Sequence, residues 1–463
     1  LRYLLNAFLA DGESRVVGPA LSDDTAVLVR ALRALGARLT WEAVPESATG
    51  TSIWSLRVIG VGGQPRMPDG PLQMGNAGAV LRLLLGLGAL LPEVRFETDH
   101  PASLGRRPNA DLLAALAQLG IAVEARGADG LLPIVLRGGP LQGGAVRVSG
   151  ARSSQYLSAL LYLAPLLPRG LEIAVSDDLR SAPLVRATLR ALADAGIAVD
   201  AAADLRAFTV PGVQSFAARE YAVPGDGPTA AALACAAFTL GRPLRLAPLD
   251  TAADDTSALL AALAFGAALS LDEATGTLTI SPLLRRLLHA APLQSSTSEA
   301  GNQRSAKLAG PPPRAPVGAS DGRPGSSSRE SRILDGDACI DSVPVLVAAA
   351  CFVPGETRFE RVGTLRFKES DRIGDLCTEL ARAGADVTPG AETIMVRGQP
   401  QGIAGGVRVD GHDDHRLVQA LAIAALGSRA GLTITGADAV AKSYPGFFAD
   451  LARLGALVTA PAS

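Results

Sequence analysis

The chain has 463 residues, which are too many for one hydrophobic core and therefore predict two or more domains. Almost half of the residues are apolar (48%), so sizeable cores can form, and a net charge of −2 argues against nucleic acid or another polyanion as the main partner. No run approaches the roughly 20 apolar residues that a membrane helix needs, so we expect no membrane partner.

The four cysteines and four histidines are scattered along the sequence without the spacing of a metal site. Cysteines in this arrangement are typical of small buried residues in a reducing compartment. Because no signal peptide opens the chain, we expect a cytoplasmic protein. Because the cysteines and histidines are scattered, we expect no bound metal.

Several predicted helices begin with polar or glycine residues. Leu1 to Leu9 predict a helix, and the next helix follows the cap Ser22-Asp23-Asp24. Gly75-Asn76-Ala77-Gly78 opens an apolar helix, and such a turn can aim backbone N–H groups at an anion. Arg106-Arg107 is either an anion clamp or part of a surface loop. Ser153-Ser154-Gln155 is either a plain helix cap or a reader of sugar hydroxyls.

The middle of the sequence contains a predicted crossing between lobes and a predicted disordered insertion. Val223 to Pro228 predicts the crossing. From Gln294 to about Arg332 the chain is rich in Ser, Gly, Pro and Arg and has hardly an aliphatic residue, which is typical of disorder. After it, Asp341 is predicted to cap a very apolar helix.

Charged residues crowd the stretch from Arg366 to Arg372, which follows a strand-like run at 357–365 and leads into a predicted helix. The N-terminus of a helix attracts anions through its free N–H groups and its dipole. Lys368 is one of three lysines in a chain with 43 Lys and Arg residues, and a lysine can act as a base where an arginine cannot. Lys442, in a turn before the last helix, is another. A solvated capping box is the alternative interpretation of the charged stretch.

A glycine that ends a predicted helix and precedes a predicted strand recurs six times, at positions 36, 120, 196, 266, 384 and 455. Successive copies lie 70 to 84 residues apart, except for one interval of 118 residues that contains the predicted insertion. Units of this length can each hold several strands and two helices, so the repeat predicts six small α/β subdomains.

Six motifs make the chain resemble the 5-enolpyruvylshikimate-3-phosphate (EPSP) synthase family. They are GNAGAVLR (75–82), SSQ (153–155), D-x-x-P (341–344), LRFKESDR (365–372), DDHR (413–416) and AKSYPGFF (441–448). The resemblance implies an α/β (α+β) fold with two lobes and six βαβαββ subdomains, three in each lobe. With the crossing predicted above, it places the N-terminal lobe at 1–224 and the C-terminal lobe at 225–463. The C-terminal lobe then contains the disordered insertion that the composition predicts at 294–332.

The resemblance also implies a reaction between two anionic substrates, in which the enolpyruvyl group of phosphoenolpyruvate is transferred to the 5-hydroxyl of shikimate-3-phosphate and phosphate is released. The residues that match contacts to shikimate-3-phosphate are Arg2, Ser153, Ser154, Gln155, Ser181, Asp341 and Lys368. Those that match contacts to phosphoenolpyruvate are Gly78, Arg107, Gln155, Arg372, Arg416 and Lys442. The matches to catalytic groups are Asp341, Lys368, Glu369 and His415, with Glu369 as the carboxylate that moves a proton at the methylene carbon. No cofactor is implied, and we expect a monomer.

The family carries a Gly-x-Lys-Ser loop before the helix with which this sequence opens, so we expect an N-terminally truncated form that catalyses poorly. Two alternative functions stay open at this point. One is the sister transferase that acts on UDP-N-acetylglucosamine, which usually has a cysteine in the loop that corresponds to 103–108; this chain has none there. The other is a non-catalytic remnant that binds shikimate-3-phosphate without turnover.

Overall fold

The computed structural model of the chain describes residues 1–44, 53–247, 249–250, 268–281 and 331–459. Gly266 and residues 294–330 of the predicted insertion lie outside these residues. The predicted end of the insertion is wrong by at least two residues, because Ser331 and Arg332 lie in a strand and pair with Glu356 and Thr357.

Several helices begin at the polar or glycine residues that the sequence indicated. The described residues form eleven α-helices. They are Arg2–Leu9, Asp23–Ala34, Gly78–Gly88, Ala110–Gln118, Ser154–Leu163, Ala182–Asp194, Gly227–Leu240, Val343–Ala350, Gly374–Arg382, His415–Gly427 and Phe447–Arg453. The Ser22 hydroxyl, for example, accepts a hydrogen bond from the backbone N–H of Thr25. None of these helices is long and apolar enough to cross a bilayer.

The described strands are numbered in chain order. Those of the first half are β1 (Glu13–Val17), β2 (Arg38–Val44), β3 (Ile53–Ile59), β4 (Leu72–Gln73), β5 (Glu93–Glu97), β6 (Ala122–Arg126), β7 (Leu131–Arg137), β8 (Gly144–Val148), β9 (Leu171–Val175), β10 (Asp200–Ala201), β11 (Ala207–Val210) and β12 (Glu220–Ala222). Those of the second half are β13 (Leu244–Leu246), β14 (Ala268–Asp272), β15 (Thr277–Ser281), β16 (Ser331–Asp335), β17 (Glu356–Glu360), β18 (Asp386–Pro389), β19 (Ile394–Arg397), β20 (Val407–Asp410) and β21 (Leu432–Thr435).

These strands form six sheets with one recurring pattern. Four sheets have four strands, in the orders β12-β1-β3-β2, β4-β5-β7-β6, β8-β9-β11-β10 and β16-β17-β19-β18. In each of them the first two strands are parallel and the other pairs are antiparallel. Within the described residues, β13-β15-β14 contains only the antiparallel part of this pattern and β20-β21 only the parallel part. The repeat of α/β units is therefore confirmed.

Buried apolar side chains form two separate clusters. One draws on residues between Leu4 and Tyr221, and the other on residues between Ala231 and Leu451. Strand β12 returns to pair with β1 in the first sheet, whereas Gly225, three residues further on, bridges to Leu249. The chain thus passes from one cluster to the other within the predicted crossing segment.

The repeated glycines adopt the backbone conformation that their position after a helix requires. Five of the six are described, and their φ angles lie between +80° and +106°, where a side chain would be strained. A strand follows four of these five. The strand predicted after Gly455 does not form; Leu457 is 94% exposed, and no strand in the described residues pairs with it.

The predicted strand at 357–365 is too long. Strand β17 ends at Glu360, and the 3-10 turn Gly363–Phe367 follows it. Arg361 explains the break, because its φ angle of +58° lies in the left-handed region and cannot continue a strand.

Candidate active site

The stretch from Lys368 to Arg372 connects the 3-10 turn to the helix Gly374–Arg382. The carboxylate of Asp371 accepts a hydrogen bond from the backbone N–H of Gly374 at 3.1 Å, so it caps the helix as the capping-box interpretation predicts. The side chains of Lys368, Glu369 and Arg372 have other partners. The capping box therefore accounts for only part of the charged stretch.

Lys368 contacts Asp341, with Nζ 3.2 Å from Oδ1, and Arg372 Nη1 lies 3.5 Å from the same oxygen. Burial alone would raise the pKa of Asp341, but Lys368, Arg416 and Arg372 outweigh it and hold that pKa below its ordinary value. The prediction that Asp341 caps the helix Val343–Ala350 is wrong. That helix has no side-chain cap, because the carboxylate faces the cations instead.

The environment of Lys368 eases the loss of its proton. Burial lowers the pKa of its amine; Asp341 opposes this effect and Arg372 reinforces it. An amine with a lowered pKa is a better general base near neutral pH. Lys368 and Asp341 together can take up a proton and return it.

Three cations from different parts of the chain surround the carboxylate of Glu369. Arg372 Nη2 lies 2.7 Å from Oε2, while Arg107 Nη1 lies 3.2 Å and Lys442 Nζ 3.7 Å from Oε1. Burial alone would raise the pKa of Glu369, but these three cations outweigh it and hold that pKa well below its ordinary value. Glu369 is therefore ionised while they surround it.

Asp414 fixes Arg372 from the other side. Both side chains are buried, at 0% and 2% exposure, and two short contacts join them: Nε to Oδ2 at 2.7 Å and Nη2 to Oδ1 at 3.0 Å. Asp414 also accepts from the backbone N–H of Arg416 and so caps the helix His415–Gly427. The sequence prediction used its motif but did not assign Asp414 to the site.

Lys442 connects the last part of the chain to the first. Its Nζ donates to Asp24 Oδ1 at 2.7 Å and to the backbone oxygen of Asn76 at 2.6 Å. Burial raises the pKa of Asp24, and Lys442 partly offsets that shift. The sequence prediction assigned Asp24 only to a helix cap. Ser22 forms that cap, so the carboxylate of Asp24 is not needed for it. This surplus carboxylate was the signal in the sequence that Asp24 has another partner.

The glycine turn before residue 79 lies against Arg107. A Cβ atom added to Gly78 would lie 2.2 Å from Arg107 Nη1, so the guanidinium occupies space that only glycine leaves open. The alternative interpretation of Arg107 as an ordinary surface residue is wrong, since the side chain is 5% exposed and contacts Glu369.

Arg82, in the helix that this turn opens, holds two neighbouring segments together. It donates to Gln155 Oε1 at 2.8 Å and to the backbone oxygen of Pro108 at 3.3 Å, and it lies over the ring of Tyr156. Burial lowers the pKa of Arg82 to about 10. The sequence prediction did not assign this residue, although an arginine within an apolar helix was a visible signal.

The remaining predicted contacts to shikimate-3-phosphate lie near two helix N-termini of the first half. Ser153 caps the helix Ser154–Leu163 by accepting from the backbone N–H of Gln155. Ser181 precedes the helix Ala182–Asp194, and its hydroxyl does not cap it. Arg2 donates to Thr188 Oγ1 and to the backbone oxygen of Leu184, both at 2.8 Å. Arg2 therefore packs on the second of these helices.

His415 and Arg416 open the helix behind the cluster. Burial lowers the pKa of His415 well below its ordinary value, and Arg416 adds to this effect, so the imidazole is neutral at pH 7. Arg416 donates to Gln419 Oε1 at 3.1 Å. Neutral His415 can donate or accept a hydrogen bond near Glu369 without adding charge.

A cavity of 630 Å³ opens beside this cluster and is lined from both halves of the chain, by Ser103, Arg107, Lys368, Glu369 and His412 among others. No group of three His, Cys, Asp or Glu side chains in the described ranges could hold a metal ion. Cations that are matched by carboxylates in a largely buried cluster can exchange those partners for the charged groups of an anionic substrate.

Comparison with known proteins agrees with this geometry. The family model described as EPSP synthase (3-phosphoshikimate 1-carboxyvinyltransferase) matches residues 1–267 and 330–451. The unmatched segment between them contains nearly all of the predicted insertion.

Relatives named 3-phosphoshikimate 1-carboxyvinyltransferase match along most of the chain. One from Deinococcus radiodurans is 39% identical over 457 residues, which are 98% of this chain and 90% of that protein. Another, from Burkholderia pseudomallei, is 33% identical over 384 residues, 83% of this chain and 76% of that protein.

Solved structures share the fold. EPSP synthase from Acinetobacter baumannii superimposes with a TM-score of 0.69 at 23% identity, covering 98% of this chain and 92% of that one. The enolpyruvyl transferase NikO from Streptomyces tendae superimposes with a TM-score of 0.68 at 18% identity, covering 99% of this chain and 94% of that one.

Proposed function

The chain belongs to the EPSP synthase family, and we propose how its site residues divide the reaction of that family among them. The chain transfers the enolpyruvyl group of phosphoenolpyruvate to the 5-hydroxyl of shikimate-3-phosphate and releases phosphate, a step of the shikimate pathway. A hydroxyl first adds across the enol double bond, and phosphate is then eliminated. Each half requires one group that takes a proton and another that gives one.

Lys368 and Asp341 flank the 5-hydroxyl of shikimate-3-phosphate. As the hydroxyl oxygen bonds to C2 of phosphoenolpyruvate, the amine of Lys368 takes its proton. The support for this role is the burial that lowers the pKa of the amine and the contact with Asp341 that orients it. Asp341 stays ionised and stabilises the lysine once it is protonated, and Lys368 returns this proton to the leaving phosphate during elimination.

Glu369 moves a proton at the methylene carbon, C3. It donates a proton to C3 during addition and takes one back from the resulting methyl group during elimination. Arg107, Arg372 and Lys442 keep its pKa low, so it must first gain a proton. Phosphoenolpyruvate supplies the cause: its carboxylate and phosphate engage the same cations, which weakens their effect on Glu369 and raises its pKa.

Phosphoenolpyruvate is held by four cations: Arg107, Arg372, Arg416 and Lys442. Their side chains are at most 7% exposed, apart from Lys442 at 9%, so charge-assisted hydrogen bonds to an anion are strong there. The backbone at Gly78 lies against the phosphate beside Arg107, and neutral His415 lies near the transferred group.

Shikimate-3-phosphate is oriented by the N-termini of two helices. Ser153, Ser154 and Gln155 open one of them, and Ser181 precedes the other. Free N–H groups at a helix N-terminus favour a phosphate. Arg2, which packs on the second helix, adds positive charge on this side.

The division into lobes at 1–224 and 225–463 is part of this proposal and is supported by the two separate cores. The partners are the two small-molecule anions, with no nucleic acid, membrane or cofactor, and the protein acts as a monomer. The four cysteines are buried and free, which supports a reducing cytoplasmic compartment.

The observation that carries the proposal is the ring of Arg107, Arg372 and Lys442 around Glu369, because it brings both halves of the chain to one carboxylate. The test incubates the protein with phosphoenolpyruvate and either shikimate-3-phosphate or UDP-N-acetylglucosamine, and measures released phosphate and product mass. We expect phosphate and an enolpyruvyl product when the second substrate is shikimate-3-phosphate, and neither when it is UDP-N-acetylglucosamine. Product from the nucleotide sugar, or binding of shikimate-3-phosphate without turnover, would favour one of the two alternatives.

A further inference from the structure

A carboxylate in the second half of the chain holds the backbone of a serine in the first half. Asp337, in the 3-10 turn Gly336–Cys339, is 4% exposed. The backbone N–H of Ser181 donates to both of its oxygens, at 2.9 Å to Oδ1 and 3.0 Å to Oδ2. The contact crosses between the two cores and is shielded from solvent, so it is strong for a hydrogen bond between a backbone amide and a charged group.

Ser181 needs such support because its conformation is unfavourable. Its φ and ψ angles of +57° and +45° lie in the left-handed region, which a residue with a Cβ atom adopts at a cost in free energy. The conformation points the N–H towards Asp337. Since the hydroxyl does not cap the helix that follows, it is left for another partner.

Residues of the second half hold Asp337 in turn. Arg361 Nη2 lies 3.3 Å from Asp337 Oδ2, and Arg361 Nη1 lies 2.9 Å from Asp335 Oδ2. The carboxylate of Asp335 also accepts from the backbone N–H of Asp337 at 3.1 Å. Contacts within the second half of the chain therefore help to orient the Asp337 carboxylate towards Ser181.

This arrangement links three of the proposed contacts to shikimate-3-phosphate. Asp337 lies four residues before Asp341, and Arg361 lies seven residues before Lys368. We propose that Asp337 is a positioning residue for shikimate-3-phosphate: it holds Ser181 in the conformation that binds the substrate and sets that serine relative to Asp341 and Lys368. The inference rests on the proposed role of Ser181, whose hydroxyl is the group that would contact shikimate-3-phosphate.

A second contact between the two halves, the ion pair of Arg180 and Glu392, provides a matched control. Arg180, the neighbour of Ser181, contacts Glu392 at 3.2 Å, also between the halves. Glu392 is 58% exposed, so solvent screens this ion pair. Removing it breaks a contact between the halves without touching the backbone of Ser181.

The experiment measures the Kd of shikimate-3-phosphate by calorimetry, the KM of each substrate at saturation of the other, and the melting temperature. Asp337→Ala is expected to raise the Kd and KM for shikimate-3-phosphate about tenfold, since one charge-assisted hydrogen bond is lost. The KM for phosphoenolpyruvate should not change. Asp337→Asn, which retains one acceptor oxygen and serves if the alanine variant does not fold, should give a smaller rise. Glu392→Ala should match the wild type.

Ser181→Ala separates a positioning role from a general loss of structure, because it removes the hydroxyl and keeps the N–H that Asp337 accepts. If Asp337 acts through this hydroxyl, the double variant should bind shikimate-3-phosphate no more weakly than Ser181→Ala alone. An unchanged Kd in the folded Asp337 variants, or effects that add fully in the double variant, would overturn the inference even if Ser181→Ala weakens binding. If Ser181→Ala itself binds normally, the proposed role of Ser181 is wrong, and the inference falls with it.

Discussion

Arg107 and Glu369 form an ion pair between the two halves of the chain, with Nη1 3.2 Å from Oε1 and with only 5% and 7% of their side chains exposed. Arg372 contacts the other oxygen of the same carboxylate at 2.7 Å. The cations assigned to phosphoenolpyruvate are thus the ones that keep Glu369 ionised. The proposed roles therefore link the binding of phosphoenolpyruvate to the protonation of Glu369.

This linkage predicts that phosphoenolpyruvate binding takes up protons at pH 7. The cations hold the pKa of Glu369 low, and substrate anions that engage them raise it, so the sign is uptake. The measurement is calorimetry of phosphoenolpyruvate binding in buffers of different ionisation enthalpy. The substrates must not react during the titration, so the measurement uses the slow Lys368→Arg variant, with shikimate-3-phosphate present.

A second replacement, Glu369→Gln in the same protein, serves as the control. It should reduce the proton uptake, and any remainder is assigned to His415, whose lowered pKa responds with the same sign. Binding heats that do not depend on the buffer, or that show proton release, would contradict the linkage.

Lys368→Arg is expected to lower kcat by about 10²–10⁴-fold and to leave the fold intact, because arginine keeps the charge but cannot act as a base at neutral pH. Steady-state phosphate release and a thermal melt measure the two effects. Arg382→Lys, a change of cation type at a side chain that is 52% exposed, is the control and should match the wild type. Near-normal turnover in Lys368→Arg would mean that the residue is not the base.

Gly78→Ala is expected to raise the KM for phosphoenolpyruvate about tenfold or more, because the new methyl group displaces the Arg107 guanidinium, 2.2 Å away. The KM for shikimate-3-phosphate should change little. Gly139→Ala is the matched control, since its added Cβ atom meets nothing within 4 Å. Equal rises for both substrates would contradict a local effect on Arg107.

Asp414→Ala is expected to lower the free energy of unfolding by about 3 kcal/mol, because it leaves the buried Arg372 without its bidentate partner. Glu369 and Asp341 still contact Arg372, so the expected loss of stability is at the lower end of the range for breaking a buried ion pair. Urea unfolding measures the change. Asp386→Ala breaks an ion pair whose side chains are about half exposed and should cost no more than about 0.5 kcal/mol.

Much of the fold could be predicted because its signals are local. Each of the five described repeat glycines ends a helix in a conformation that other residues avoid, and Gly36 and Gly384 show this directly. The return of β12 to β1 could not be predicted in this way, because about 200 residues of sequence separate the two strands. The break after Glu360 depends on the left-handed conformation of Arg361, for which its residue type gives no signal.

In the candidate site, too, the residues in local motifs could be predicted, and the partners from distant segments could not. Lys368 and Glu369, which the motif at 365–372 contains, both line the cavity. The carboxylates that pair with the cations were missed: Asp24 meets Lys442 across 418 positions of sequence, and both Asp24 and Asp414 sit in segments that a helix cap explains equally well. Partners of this kind are determined by tertiary contacts between distant segments of the chain, which spacing in one sequence does not reveal.

The most direct test of the central claim, that Glu369 transfers a proton at the methylene carbon, follows deuterium into the product. The reaction is run in D₂O with phosphoenolpyruvate and shikimate-3-phosphate, and the enolpyruvyl product is analysed by mass spectrometry and NMR. We predict deuterium at the methylene carbon, because addition converts that carbon into a methyl group that carries a solvent-derived deuteron, and elimination then removes any one of its three hydrogens. Glu369→Gln should abolish both the incorporation and the release of phosphate. A product without deuterium, or normal incorporation and phosphate release in the Gln variant, would contradict the account.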